Sequence, residues 1–395
     1  MRNTVIMAGG YSIDTKGASA VRALGLAHLF EHLGYKVILL GKFREKPDEI
    51  LRDGEVLVDG ICCRDIFEPF PGRKCRSYIH TADPIMQVVD EYGAERVLAI
   101  LCYNFPARGA WSVIRQARHL GIAPILDCTE WHGWEGRKVM RNLWRLAGVE
   151  MRMRVLCRMA GNVSCATHWF RERLSGQHTV LWPFVLDTNR PEWQRGPMSV
   201  HGRPIHLVYS GSPGLGMYKD RLPVMIGSLA RLAACGEEFS ITIAGITEEE
   251  YLESVPAHRV QLDQLDNKLR FLGRITHQES LSLLRSADFS VFFRRPNRVS
   301  HTGFATKYVE AATLGIPVIS NPTSDLPSYL RDGENGIMAT SISDADVYTA
   351  LHRAVCLKPD QRAAMFAACR AENPFDMRAW QDDASEFLQN LRGLK

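Results

Sequence analysis

The chain has 395 residues, more than one ordinary domain holds, so two domains are expected. Its 46% hydrophobic and 23% charged content is that of a globular protein, and neither tandem repeats nor low-complexity segments interrupt it. The net charge of +4 is unevenly spread: the first 200 residues are basic and the rest slightly acidic, which suits an anionic surface or acceptor for the first half.

The first segment, T-V-I-M-A, reads as a buried strand; its apolar part is too short for a signal peptide. G-G-Y-S follows, and a helix is predicted from about Gly17 to Leu33. Val21, Leu24, Ala27, Phe30 and Leu33 recur there at helical spacing, and Gly34 closes it. Y-K-V-I-L-L, R-V-L-A-I-L-C-Y, A-P-I-L-D-C, N-V-S-C-A and T-V-L-W-P are the next strands, with a helix around Trp111–Leu120. This alternation predicts a parallel sheet with helices on both faces.

Between Trp134 and Arg158, Arg137, Lys138, Arg141, Arg145, Arg152, Arg154 and Arg158 interleave with Met140, Leu143, Trp144, Leu146 and Leu156. Such a helix either lies on an anionic bilayer or packs on the sheet with a basic rim. The stretch D-T-N-R-P-E-W-Q-R-G-P-M-S-V-H-G-R-P breaks the alternation, placing a linker at about 187–203. I-H-L-V-Y-S, F-S-I-T-I-A-G, L-R-F-L-G, F-S-V-F-F and I-P-V-I-S form a second strand set. Met377, Trp380, Phe387 and Leu391 then mark a terminal helix.

No apolar run reaches the roughly 18 residues of a membrane-spanning helix. The ten cysteines contain no C-x-x-C pair and read as reduced thiols of a cytosolic protein. No histidines stand at zinc-site spacing, and D-A-D at 344–346 reads as a helix start, so no metal or cofactor is expected.

Two glycine turns carry the candidate chemistry. In Y-S-G-S-P-G-L-G-M-Y-K-D, Gly211, Ser212 and Gly214 predict an amide-lined phosphate cradle, with Lys219 to neutralise charge. In H-T-G-F-A-T-K-Y-V-E-A-A-T-L-G-I-P-V-I-S, the turn at Gly303 opens a helix whose N-terminus suits an anion. Lys307 adds a cation, and Glu310 lies on nearly the same helix face, where a carboxylate accepts two bonds from a vicinal diol such as ribose. Gly315 ends this helix.

The second segment resembles the donor-binding signature of the retaining glycosyltransferases of family four, E-G-F-x-x-x-x-x-E. Glu310 matches its second glutamate, and Thr302 occupies the position of the first. The resemblance implies an α/β chain of GT-B fold: two Rossmann-like parallel-sheet domains facing a central cleft. Residues 1–187 would bind acceptor, joined by a crossing helix at 376–395, and residues 204–375 would bind a nucleotide-diphosphate sugar. It also implies contacts to that donor from Gly10, Gly211, Ser212, Gly214 and Lys219, and from Thr302, Gly303, Phe304, Ala305, Lys307 and Glu310. Main-chain groups near Arg274 and Ile275 would meet the base or simply turn the chain. Arg294, Arg295 and Arg298 would face the diphosphate or solvent.

Among Asp127, Glu130 and His132, Glu130 is the first choice beside the donor sugar, so Glu130, Lys219 and Glu310 form the candidate catalytic set. Arg137, Lys138, Arg141, Trp144 and Arg145 would meet a lipid-linked or polysaccharide acceptor, with the protein cytoplasmic or peripheral on the inner membrane face. No nucleic-acid motif is present. A GT-B epimerase and a non-catalytic sugar-nucleotide-binding protein are the alternatives.

Overall fold

The structure is a computed structural model and describes residues 2–43, 54–70, 75–133, 139–196, 204–217 and 219–393. The chain divides into two compact units. One comprises Met1–Asp187, Thr302–Phe304 and Phe375–Lys395; the other comprises Thr188–His301 and Ala305–Pro374.

In chain order, the first unit contains β1 (Thr4–Ser12), α1 (Ala18–His32), β2 (Lys36–Lys42), β3 (Val56–Val58), β4 (Ile61–Asp65), α2 (Asp83–Tyr92) and β5 (Val97–Tyr103). It continues with α3 (Ala107–His119), β6 (Ala123–Cys128), α4 (Val139–Met151), a π turn at Arg152–Leu156, α5 (Cys157–Ala160), β7 (Asn162–Cys165), α6 (His168–Arg173) and β8 (His178–Leu181). The strand order is β3-β4-β2-β1-β5-β6-β7-β8. All neighbours are parallel except β3 and β4, which the two-residue turn Asp59–Gly60 joins as a hairpin. Both turn residues have positive φ, as such a connection requires.

The sheet is buried on both faces, so its strands are continuously apolar and their side chains divide by alternation. Ile6, Ala8, Ile38 and Leu40 join one core; Val5, Met7, Val37 and Leu39 join the other. Met377, Ala384, Phe387, Leu388 and Leu391 complete the second core. They come from a 3-10 turn (Met377–Trp380), the terminal helix (Gln381–Gln389) and the residues just beyond it.

The second unit follows the same logic with β9 (Ile205–Ser210), α7 (Leu222–Ala234), β10 (Phe239–Ala244), α8 (Glu248–Ser254), α9 (Arg259–Leu265), β11 (Leu269–Gly273), α10 (His277–Arg285) and β12 (Phe289–Val291). After α11 (Arg298–Thr302) come α12 (Thr306–Leu314), β13 (Val318–Ser320), β14 (Gly336–Met338), α13 (Asp344–Val355) and α14 (Pro359–Ala371). Its parallel strands run in the order β11-β10-β9-β12-β13-β14. Gly315, in the left-handed conformation, ends α12 and lets the chain return as β13.

β1 runs through Gly9 and Gly10 to Ser12, because pairing with β2 resumes at Ser12–Lys42 after a register shift. Two local readings change. The basic segment is not one continuous α-helix, since the π turn interrupts it. The stretch expected as linker packs tightly where it is described: Trp193 is buried, Arg195 donates to the Thr313 carbonyl, and Arg285 donates to those of Glu192 and Gln194. Residues 197–203 of that stretch lie outside the described residues.

Candidate functional site

Parallel strands point all their carboxyl ends the same way, so loops gather at one edge of the sheet. In the second unit β9, β10 and β11 each lead into a glycine of positive φ: Gly211 (125°), Gly245 (107°) and Gly273 (65°). The Gly245 N–H donates to the Gly273 carbonyl at 2.6 Å, and the Gly211 N–H donates to the Ala244 carbonyl at 3.0 Å. A Cβ on Gly245 would fall 2.5 Å from the Gly211 carbonyl oxygen, and one on Gly211 would fall 2.9 Å from Lys307 Nζ. The turn at Gly211 is therefore bare because a lysine passes over it.

From Gly211 the chain makes a closed loop. Ser212 Oγ accepts from the Gly214 N–H at 3.3 Å. Lys219 and Asp220 both donate their N–H groups to the Pro213 carbonyl, at 3.1 and 3.2 Å. This folds the Asp220 side chain inward. Its Oδ2 accepts from Lys307 Nζ and from the Tyr209 hydroxyl, each at 2.7 Å. Arg294 Nε lies 3.7 Å from Oδ1. Burial opposes ionisation of Asp220, but the Lys307 and Arg294 charges and the bonds from Lys307 and Tyr209 outweigh it, holding the carboxyl below its ordinary value. Burial and the facing Asp220 charge push the Tyr209 hydroxyl well up, so it stays a donor.

One buried carboxylate thus sits among two cations, leaving a net positive charge. Lys307 is on the first turn of α12, which no side chain caps. Uncapped first-turn amides and a surplus cation suit an anion. Glu310 is one turn further along. Its Oε1 accepts from His277 Nε2 at 3.1 Å, with both side chains mostly covered. His277 is held in turn: it opens α10 behind a capping box of Thr276 and Glu279, with the Trp193 ring edge-on at 6.0 Å. The arrangement offers charge for a diphosphate and a fixed carboxylate for a diol.

Other expected donor contacts differ. Thr302 is fully buried, and its hydroxyl oxygen accepts from the Trp131 N–H at 2.9 Å, so it is a packing group rather than one presented to a sugar. Gly303, Phe304 and Ala305 are buried too. Phe304 stacks at a tilt on Phe375, with ring centroids 5.7 Å apart. The Arg274 side chain is 85% exposed and lies 3.7 Å from Glu250; with Ile275 it forms the turn between β11 and the Thr276 cap. Arg294 is buried against Asp220, whereas Arg295 and Arg298 are exposed.

In the first unit, Gly10 is an exposed position within β1. Asp127 is removed from the candidates. Its carboxylate accepts from Arg22 Nε at 3.0 Å, Arg22 NH2 at 2.7 Å and Ser164 Oγ at 2.8 Å, and both charged side chains are 1% exposed. Glu130 is partly exposed, with one carboxylate oxygen 3.2 Å from His132 Nε2.

Of the basic segment, Arg137 and Lys138 lie outside the described residues, as does the Arg141 side chain. Arg145 donates to the Gly133 carbonyl, Arg154 pairs with Glu150, and Arg152 is buried with bonds to the Phe105 and Glu130 carbonyls. These three are anchored rather than forming a free basic rim. Trp144, by contrast, is 78% exposed, and Leu143, Met151 and Val155 are exposed on the same segment. Among the described residues no helix is long and apolar enough to cross a membrane.

Comparison with known proteins shows what the chain resembles. Residues 205–356, which hold the glycine turns, Asp220, His277, Lys307 and Glu310, match the family described as glycosyl transferases group 1. The chain is 29% identical over 219 residues to the glycogen synthase of Mycobacterium tuberculosis, covering 54% of this chain and 46% of that protein. It therefore spans about half the length of this relative. It is 24% identical over 374 residues to the phosphatidyl-myo-inositol mannosyltransferase of Mycolicibacterium smegmatis, covering 92% and 86%. Anabaena HepE, solved in complex with UDP, superposes with a TM-score of 0.67 at 13% identity, covering 99% of this chain and all of that one. The fold is GT-B, with two Rossmann-like parallel-sheet domains, and residues 205–356 are similar to the group 1 glycosyltransferases.

Proposed function

We propose that the chain transfers a sugar from a nucleotide-diphosphate donor to an acceptor hydroxyl, with retention at the anomeric carbon. The observation that carries this is the Asp220–Lys307 pair beside the bare Gly211 turn and the uncapped end of α12, with Glu310 one turn on. In the reaction the bond from the anomeric carbon to the diphosphate oxygen breaks, and one to the acceptor oxygen forms on the same face. The leaving diphosphate takes the acceptor's proton. Lys307 and the first-turn amides of α12 stabilise the charge that grows on the leaving group. Lys219 adds to that charge stabilisation. Glu310, oriented by His277, holds the ribose diol, and Glu130 is the candidate acid of the first unit.

The mannosyltransferase relative and the UDP bound to HepE support a nucleotide-sugar donor, and UDP and GDP are the bases to test first. For the acceptor we favour a lipid-linked or polysaccharide hydroxyl, reached from the membrane surface. The exposed Leu143, Trp144, Met151 and Val155 support lipid contact, as bulky apolar groups at a helix surface seat in the headgroup boundary.

A panel of UDP, GDP, ADP and their sugars, read by thermal shift and then by product analysis, tests the reading. One nucleotide should stabilise the chain, Glu310→Ala should abolish the shift, and the product should keep the donor's anomeric configuration. An unchanged shift in the variant, or an inverted product, would contradict it. A second reading, sugar-nucleotide binding without transfer, draws on Thr302, whose hydroxyl is already engaged where the family signature has a glutamate. Tight binding with neither transfer nor donor hydrolysis would favour that second reading.

A further inference from the structure

The second unit also brings together three donor atoms of a kind that hold transition metals, far from the glycine turns. His352 and Cys356 stand four residues apart at the end of α13, so they project from one face of its last turn. Glu237 reaches them from the turn that follows α7. The His352 Nε2 atom is 3.4 Å from Cys356 Sγ and 3.6 Å from Glu237 Oε1, and the donor atoms all lie within 4.8 Å of one another. No other trio of His, Cys, Asp and Glu donors converges in this way among the described residues.

A tetrahedral zinc ion with bonds of about 2.0–2.1 Å to nitrogen and 2.3 Å to sulfur needs an N···S edge of about 3.6 Å, and an N···O edge of about 3.4 Å. The two observed separations, 3.4 and 3.6 Å, lie close to those edges. One thiolate, one imidazole and one carboxylate form a borderline-soft set that favours Zn²⁺ over Mg²⁺ or Ca²⁺. The His352 ring is already fixed by the Tyr348 ring, stacked 5.8 Å away at an interplanar angle of 8°.

We propose that Glu237, His352 and Cys356 bind one Zn²⁺ per chain, with solvent in the fourth position, clamping the end of α7 to the end of α13. Binding releases the Cys356 thiol proton to solvent and involves no change in oxidation state. The role is structural. Glu237 lies just before β10 and Gly245 just after it, and six strand residues separate the clamp from the glycine edge by about 20 Å. The proposal does not rest on the transferase reading.

The metal-free 395-residue chain titrated with Co²⁺ should take up one equivalent and develop a thiolate-to-cobalt absorption band. Equimolar Zn²⁺ should displace the cobalt and raise the melting temperature by several degrees. Cys356→Ser should lose both the band and the zinc-induced shift, and Glu237→Gln should weaken binding. Cys235→Ser and Cys75→Ser should keep the band. Nucleotide binding should be the same with and without zinc. Absence of a band in the native chain, its survival in Cys356→Ser, or its loss in Cys235→Ser would each overturn the assignment. A merely unstable variant is recognised by its melting temperature without metal.

Discussion

Two buried aspartates, one in each unit, show how a single type of ion pair serves opposite ends. Asp127 and Arg22 are each 1% exposed, and both carboxylate oxygens accept hydrogen bonds. Arg22 gives its remaining donors to the Trp182 and Pro183 carbonyls and the Ser164 hydroxyl. Nothing remains for a ligand. Asp220 is as deeply buried, but its partner Lys307 is 12% exposed, stands at an uncapped helix start, and shares the carboxylate with Arg294. An ammonium has three N–H donors, and Asp220 engages one. The closed pair fixes a fold; the open pair keeps charge and donors in reserve.

The largest effect should come from breaking the closed pair. Asp127→Ala strands a buried guanidinium and should cost roughly 3–5 kcal/mol of stability, read from urea denaturation. An unchanged midpoint would mean that Arg22 finds another partner. Next, Lys307→Ala should weaken nucleoside-diphosphate binding by about 10–100-fold, the range of a hydrogen bond to a charged group, with a smaller loss for the monophosphate. Calorimetry with both ligands checks this, and equal losses would detach Lys307 from the diphosphate.

A pH scan sharpens the contrast further. The folded-state value of Asp220 is depressed, so its stabilising effect is complete above the ordinary value of 3.8 and is lost as pH falls through the lower folded value. Asp220→Asn should therefore be less stable near neutrality and flatten the acid-denaturation curve below about pH 4. A curve that keeps its native steepness would assign that acid sensitivity elsewhere. The smallest effect concerns the open surface: Trp144→Ser should reduce association with anionic vesicles a few-fold, as flotation would show. Equal flotation of variant and native chain would remove the indole from any lipid contact.

Most strands were legible because both sheets are buried on two faces, and such strands are continuous apolar runs. The close of α12 was legible too, since Gly315 marks a left-handed cap. The pairings were not. Arg22 and Asp127 are 105 residues apart, and nothing local distinguishes Asp127 from an active-site acid. Lys307 was readable as a helix-start cation, but its partner Asp220 arrives from a loop 87 residues earlier. His277 escaped notice because its capping box announces a helix start and nothing more; its bond to Glu310 exists only in three dimensions. Thr302 misled in the opposite sense, since alignment with a signature glutamate suggested exposure where the backbone turns it inward. The His352, Cys356 and Glu237 trio was not legible, since Glu237 joins the last turn of α13 from 115 residues away.

The π turn at Arg152–Leu156 carries a consequence for how this surface changes over time. A π turn holds one residue more than an α turn, so the helical stretches on either side are offset by about 100°. Arg152 latches the offset by donating to two carbonyls inside the unit. Loss of a single codon there would rotate the Trp144 stretch by about a quarter of a circle while β7 kept its register. The joint gives the chain a one-step way to re-aim its exposed indole without rebuilding the scaffold beneath it.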